Sequence, residues 1–375
     1  MREKRFSISA QLLNPEPHFQ PSRALAPLLF VAALFFAAFG SLNAQQSAWS
    51  KKAPLPRTSE EFSFASTNGK IYLFGGNPSG DQQAPPGLVQ EYDPAADRWT
   101  QKKNMPLPAH HLAAVGYAGK IYLFGGAIQP QPGGPNQFPA NNAWEYDPTS
   151  DSWKALAPMP TARMAPVAAE VDGKIYVIGG ASVHSGAKLV SLAPKVPHQS
   201  LNTNEVYDPA TNTWESRMTM PTPRNHAAVG VVGGKIYVIG GRLASAFASA
   251  GSNTDVVEVY DPAANTWGAA GLRMPTARSS MGFATFGNQI LIAGGEIVDR
   301  HMFAAIRAVE AYDPTTNQWT ELPIMPAARH GVSAAVIANH LYVIGGHVQG
   351  TDIGGAGADS DETDALDLAG NASAK

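Results

Sequence analysis

Six repeated positions in this 375-residue chain carry side chains suited to ionic chemistry. Arg57, Arg163, Arg224, Arg278 and Arg329 each follow a Pro-rich turn, and His110 is read in that place once. Met105-Pro106, Met159-Pro160, Met220-Pro221, Met274-Pro275 and Met325-Pro326 mark the turns. A guanidinium is planar and permanently charged, and it pairs with carboxylates through two parallel hydrogen bonds. A plainer alternative fits the same spacing. Repeated positions usually serve packing, and an arginine could tie turns together by donating to backbone carbonyls. Glu296 is a different kind of candidate. It follows a diglycine where the equivalent residues are Asn77, Ala127, Ala181, Arg242 and His347. One acid among five non-acids departs from the repeat, and such departures are where function is grafted.

The elements that position these residues recur with them. Apolar runs such as Lys235-Ile236-Tyr237-Val238-Ile239 close in a diglycine, at Gly75-Gly76, Gly125-Gly126, Gly179-Gly180, Gly240-Gly241, Gly294-Gly295 and Gly345-Gly346. The spacings are 50, 54, 61, 54 and 51 residues, a period that points to a propeller. Asn68-Gly69, Asp172-Gly173 and Gly233-Gly234 are pairs that favour two-residue hairpins. Tyr92, Tyr146, Tyr207, Tyr260 and Tyr312 each open a Tyr-Asp-Pro. The proline ends the strand because it has no N–H for the ladder. Seven residues beyond each tyrosine stands Trp99, Trp153, Trp214, Trp267 or Trp319. Four strands per unit make a propeller blade. The 36 glycines and 30 prolines, with few charges, also suit an all-β protein.

A diglycine, a Tyr-Asp-Pro and a tryptophan in fixed order, five times over, resemble kelch repeats across about residues 47–368. The resemblance implies a six-bladed kelch β-propeller. Blades related by rotation would then bring Arg57, His110, Arg163, Arg224, Arg278 and Arg329 to a ring near one mouth of the central channel. In eukaryotic kelch substrate adaptors, arginines at this motif position hold acidic peptides, so the resemblance implies a site for a carboxylate or other anion. The fragment Gly295-Glu296-Ile297, with Arg300 and Arg307 downstream, is similar to the region carrying the catalytic glutamate of bacterial sialic-acid mutarotases. There Glu296 would act as general acid or base on the anomeric proton while an arginine fixes the sugar carboxylate.

The ends complete the reading. Trp49 lies 50 residues before Trp99 without a diglycine before it, and the last diglycine has no tryptophan after it. Residues 47–52 are therefore expected to supply the outer strand of the sixth blade, with 364–368 in place of its Tyr-Asp-Pro strand. Ring closure by both termini removes exposed sheet edges. Ahead of the propeller, Arg2, Lys4, Arg5 and Arg23 precede an apolar run of 17 residues, 24–40, and small residues up to Ala44. This describes a secretory signal, with an uncleaved membrane anchor as the alternative. The expected division is 1–44, a propeller over 45–368 and a tail over 369–375.

Several chemistries are disfavoured. A net charge of -3 gives no basic footprint for nucleic acid. With no cysteine there is no disulfide, thiol catalysis or Cys-bound zinc, and no Tyr–Cys cross-link of the kelch-type copper oxidases. No His-Glu-x-x-His, phosphate loop or Gly-x-Ser-x-Gly appears, so no metal or cofactor is expected. Residues 359–364 depart from a calcium loop at the turn glycine and the bidentate glutamate. Asn371-Ala372-Ser373 is a short glycosylation-like pattern. The variable segments after the diglycines (77–89, 127–142, 181–204, 242–255, 296–308 and 347–363) are long enough to carry binding residues. Two carry concentrated charge: His184, Lys188, Lys195 and His198 in one, Glu296, Asp299, Arg300, His301 and Arg307 in the other. Two readings result: an exported scaffold binding a protein, peptide or anionic carbohydrate on one loop-rich face, or a sugar mutarotase using Glu296.

Overall fold

A computed structural model describes residues 48–76, 87–129, 136–188, 190–192, 198–246, 252–269, 271–298, 303–348 and 358–369. The leader over 1–44, Lys195, Asp299, Arg300, His301 and the sequence 371–373 lie outside them.

Alternation of apolar and polar residues with tight turns gives six four-stranded antiparallel sheets. Blade 1 runs, from the channel outward, Ser63–Thr67, Lys70–Phe74, Val89–Asp93 and Arg98–Lys102. Blades 2 to 5 repeat this order, with innermost strands Ala113–Tyr117, Val167–Val171, Ala228–Val232 and Gly282–Phe286. Blade 6 takes three strands from the C-terminal part (Ser333–Ile337, His340–Ile344, Thr363–Asp367) and its outermost from Trp49–Lys51. Trp49 stands opposite Leu366, so the N-terminal strand closes the ring as expected from the repeats. Innermost strands neighbour one another all the way round, and Ser333–Ile337 lies beside Ser63–Thr67.

The repeat residues explain how blades adhere. Tyr92, Tyr146, Tyr207, Tyr260 and Tyr312 are fully buried, and each hydroxyl donates to the Asp or Asn five residues later, such as Tyr207 to Asn212 Oδ1 at 2.8 Å. That same oxygen accepts a backbone N–H from the neighbouring blade: Asn212 Oδ1 takes Ala157 N–H at 2.8 Å. The tryptophans share less of the wedge than their size suggests. Trp99, Trp153, Trp214, Trp267 and Trp319 are half-buried, and their indole N–H groups reach carbonyls next door, as Trp214 does to Ala157 at 2.8 Å.

The diglycines are contact points between blades. Gly125 has φ +66°, and a Cβ there would stand 2.5 Å from the carbonyl oxygen of Arg163 in the next blade. Its neighbour Gly126 donates its N–H to that oxygen at 3.0 Å. A side chain would break both the conformation and the approach.

After five of the diglycines the described residues do not go straight into irregular loop. Five short ribbons rise there among the described residues, such as Arg242–Leu243 with Ser252–Asn253 and Glu296–Val298 with Phe303–Ala305. These five variable segments thus begin as paired strands, and their first residues are placed to build a site.

Candidate functional site

Two residues before each innermost strand, the backbone turns through positive φ: Glu61 at 53°, His111 at 56°, Ala165 at 50°, His226 at 51°, Ser280 at 51° and Gly331 at 59°. These residues form a closed ring of backbone hydrogen bonds. The N–H of His111 donates to Glu61 O at 3.4 Å, Ala165 to His111 at 2.8 Å, and His226 to Ala165 at 3.2 Å. Ser280 donates to His226 at 3.2 Å, Gly331 to Ser280 at 2.8 Å, and Glu61 to Gly331 at 3.1 Å. Each bond spans two adjacent blades, so the ring is the neck of the channel. Left-handed backbone in non-glycine residues is costly and persists where the surroundings demand it. Here a continuous hydrogen-bond circle supplies that demand.

Below the neck is a cavity of about 70 Å³ whose walls include Glu61, His111, His226 and Ser280. Phe64 of blade 1 and Phe283 of blade 5 meet across the channel with ring centroids 5.0 Å apart. They line both this cavity and a second, lined by the innermost strands toward the opposite face. The polar neck is therefore served from the side where the ribbons stand.

The residues just ahead of the neck pair with the residues just after five of the diglycines. His110 bridges Ala127, Asn225 bridges Arg242, Ser279 bridges Glu296 and His330 bridges His347. This register brings Glu296, 1% exposed, against Arg242 of the preceding blade. The Oε1 of Glu296 also accepts from Ser279 Oγ at 2.8 Å and Ser280 Oγ at 3.1 Å, and His330 Nε2 lies 3.8 Å from Oε2. Burial alone would raise the Glu296 carboxyl. Arg242 and His330 outweigh it and hold the carboxyl at about 2. For His330, burial is outweighed by Glu60 at 3.3 Å and the charge of Glu296, which raise the imidazole to about 9.

His110, His111 and His226 behave oppositely. Burial, then Arg242, lowers His111 to about 3, and the same causes hold His226 well below its ordinary value. His110, buried against His111, is likewise pushed down. Burial and the charge of Glu296 raise Glu61. The neck thus holds neutral imidazoles beside ionised groups, in contact but with different protonation habits.

The arginine ring expected from the repeats lies elsewhere. Arg163, Arg224, Arg278 and Arg329 are at most 1% exposed and sit inside their own blades. Arg163 Nη1 meets Glu205 Oε2 at 2.7 Å, Arg224 meets Glu258 at 2.6 Å, Arg278 meets Glu310 at 2.7 Å, and Arg329 meets Asp364 at 2.5 Å. Arg163 and Arg224 also donate to Val177 O at 3.0 Å and Val238 O at 2.9 Å. The donation to carbonyls matches the plainer alternative, with an internal carboxylate added. His110 and Arg57 do not occupy the arginine position. The diglycine of blade 1 abuts the Ala109 carbonyl as that of blade 2 abuts Arg163, so Ala109 is the equivalent and His110 belongs to the next register. In blade 1 the equivalent is Ser59, and Arg57 is exposed two residues earlier. A sequence signal for this was present. Where the arginine is missing, the residue two before the tyrosine is Gln90 or Trp144, not an acid.

Glu296 does stand at the neck. The guanidinium beside it is Arg242, whereas Arg307 donates to Met325 O and is half-buried elsewhere. Glu60, Glu61, His111, His226, Ser279, Ser280 and His330 were not singled out from the sequence. Their signal is weak: fixed repeat positions at which residue types vary from blade to blade.

The family described as KLHDC2/KLHL20/DRC7 Kelch-repeats domain matches residues 30–215 and 157–346. The chain belongs to the kelch-repeat family. Kelch-like protein 36 of Bos taurus is 29% identical over 300 residues, covering 79% of this chain and 45% of that protein. Kelch-like protein 25 of Xenopus tropicalis is 31% identical over 208 residues, 56% of this chain and 33% of the relative. Kelch-like protein terF of Aspergillus terreus is 30% identical over 208 residues, 54% and 42% of the two chains. The matches span less than half of these relatives' own lengths. They identify this kelch propeller by its repeats.

Proposed function

We propose that this kelch propeller is a binding scaffold that receives a protein or peptide segment at the ribbon-bearing mouth. One observation carries the reading: polar side chains from five blades converge on the neck, while the repeat arginines are consumed inside the blades. Carboxylates outnumber cations there, with Glu60, Glu61 and Glu296 against Arg242 and the protonated His330. A ligand presenting a lysine, arginine or free amine is matched to that charge, and the acidic ligand suggested by the arginine positions is not. An unbiased peptide-display selection on the full chain, followed by calorimetry, tests this. Enriched peptides should be basic, bind more weakly at high salt, and lose affinity about tenfold or more with Glu61→Gln. Selection of acidic peptides only, or binding confined to acidic glycans, overturns it.

The mutarotase reading has one observation in its favour, the meeting of Glu296 with a guanidinium at the mouth. The same contact counts against it. A carboxylate held at about 2 is a poor proton acceptor near neutral pH. Anomer relaxation of dissolved sialic acid, followed by NMR, decides it: a rate unchanged by the protein ends this reading for that substrate.

Export through residues 1–44 rests on the charge and hydropathy pattern alone. Expression of the full chain should yield exported protein beginning at Gln45. Recovery of intact Met1 in the cytosol counts against export, and in the membrane it favours the anchor.

A further inference from the structure

We infer that Glu61, His111 and His226 form a binding site for one divalent first-row transition-metal ion at the neck of the channel. One donor atom from each lies within 4.8 Å of the others. His111 Nε2 and Glu61 Oε2 are 3.6 Å apart, beyond ordinary hydrogen-bond length. It is close to the edge of a tetrahedron around an ion with bonds of about 2.0–2.2 Å. The imidazole rings of His111 and His226 meet edge to face with centroids 5.0 Å apart.

Outer contacts aim the ligating nitrogens. His226 Nδ1 is against Asn225 Oδ1, and the amide nitrogen of Asn225 is spent on Ser200 Oγ at 2.7 Å and Ser245 O at 3.2 Å. Asn225 therefore presents its carbonyl, His226 carries its proton on Nδ1, and Nε2 is left with a lone pair. His111 Nδ1 is likewise engaged, by His110 Nδ1, which leaves its Nε2 on the Glu61 side. An imidazole anchored through one nitrogen while the other ligates is the usual arrangement of metal-binding histidine.

The remaining ring positions make room. Ala165, Ser280 and Gly331 are the smallest residues of the neck, and the cavity volume of about 70 Å³ accommodates an ion with several waters at roughly 10–15 Å³ each. Two imidazoles and one carboxylate suit zinc, ferrous, cobalt or cupric ions better than magnesium or calcium, which prefer all-oxygen shells. Arg242 stands nearby, and its charge is balanced by Glu296. The sequence offered no metal motif because the three donors are contributed by three different blades, 50 and 115 residues apart. The inference does not depend on the protein having a macromolecular ligand.

The test uses untagged full chain stripped with a chelator and titrated with Co²⁺ and Zn²⁺. One equivalent should bind, with visible d–d absorption for Co²⁺. His226→Ala should weaken binding by more than the roughly 10–100-fold expected of Asn225→Ala, which loses only an outer contact. Asp359→Asn, on a separate cluster with Glu60 and His347, should leave the stoichiometry intact. Electron paramagnetic resonance of the Cu²⁺-loaded wild type needs no variant and should show coupling to two nitrogens. Absence of stoichiometric binding, retention of it in folded His226→Ala, or a copper spectrum without two-nitrogen coupling overturns the site.

Discussion

Arg163 and Glu205 face each other at 2.7 Å inside blade 3, with no side-chain surface of the arginine open to solvent. Burying a charge is tolerable only with a partner and satisfied hydrogen bonds, and Val177 O takes a further N–H of the arginine. Breaking one side should cost about 3–5 kcal/mol, while replacing both by apolar residues of similar volume should cost much less. Chemical denaturation of Glu205→Leu, Arg163→Met and the double variant checks this. The protein already contains the control, since blades 1 and 2 lack both members, with Ser59 and Gln90 in one and Ala109 and Trp144 in the other. Additive losses in the double variant would contradict a coupled pair.

Closure of the ring rests on a strand of three residues. Trp49 is 8% exposed and packs with Leu291, Val309, Met325 and Leu366 in the seam between blades 5 and 6. Its indole N–H donates to Pro323 O at 3.0 Å. Trp49→Ala should cost about 3–5 kcal/mol, the range for large aromatic truncations in a core. A chain beginning at Arg57 should lose more, because the edge of Thr363–Asp367 is also exposed. Equal thermal stability of the shortened and full chains would remove the N-terminal strand from the closure.

The blades and their closure were legible because they depend on residues that must recur. Gly125 is needed wherever the next blade's carbonyl approaches, and Tyr207 wherever a wedge must be filled, so each leaves a periodic mark. The neck leaves none. Glu61, His111, Ala165, His226, Ser280 and Gly331 share a backbone conformation and a hydrogen-bond partner, neither of which constrains side-chain type. The arginines misled for the opposite reason: they recur because they are internal clips. Their carboxylate partners, 32 to 42 residues further on, carried that information, as between Arg163 and Glu205. Glu296 was found because it breaks a repeat, but its partner Arg242 breaks the same repeat one blade earlier and went unread.

The neck histidines make stability depend on pH in both directions. His111 and His226 are held below their unfolded value of about 6.5, so the unfolded chain takes up protons first as pH falls. Their contribution is complete above about 6.5 and is lost as pH falls toward 3. Glu296, lowered from 4.5 to about 2, adds a loss over that lower window. His330 has the opposite sign. Its value is raised to about 9, so its contribution is complete below about 6.5 and is lost as pH climbs through 9. The sum is a stability maximum near pH 6.5, measurable as the urea midpoint from pH 4 to 9.5 in the presence of a chelator. His330→Gln should flatten the alkaline limb between pH 6.5 and 9 and leave the acid limb in place. An alkaline limb that survives in His330→Gln would mean that another group, and not the Glu60–His330–Glu296 contact, sets it.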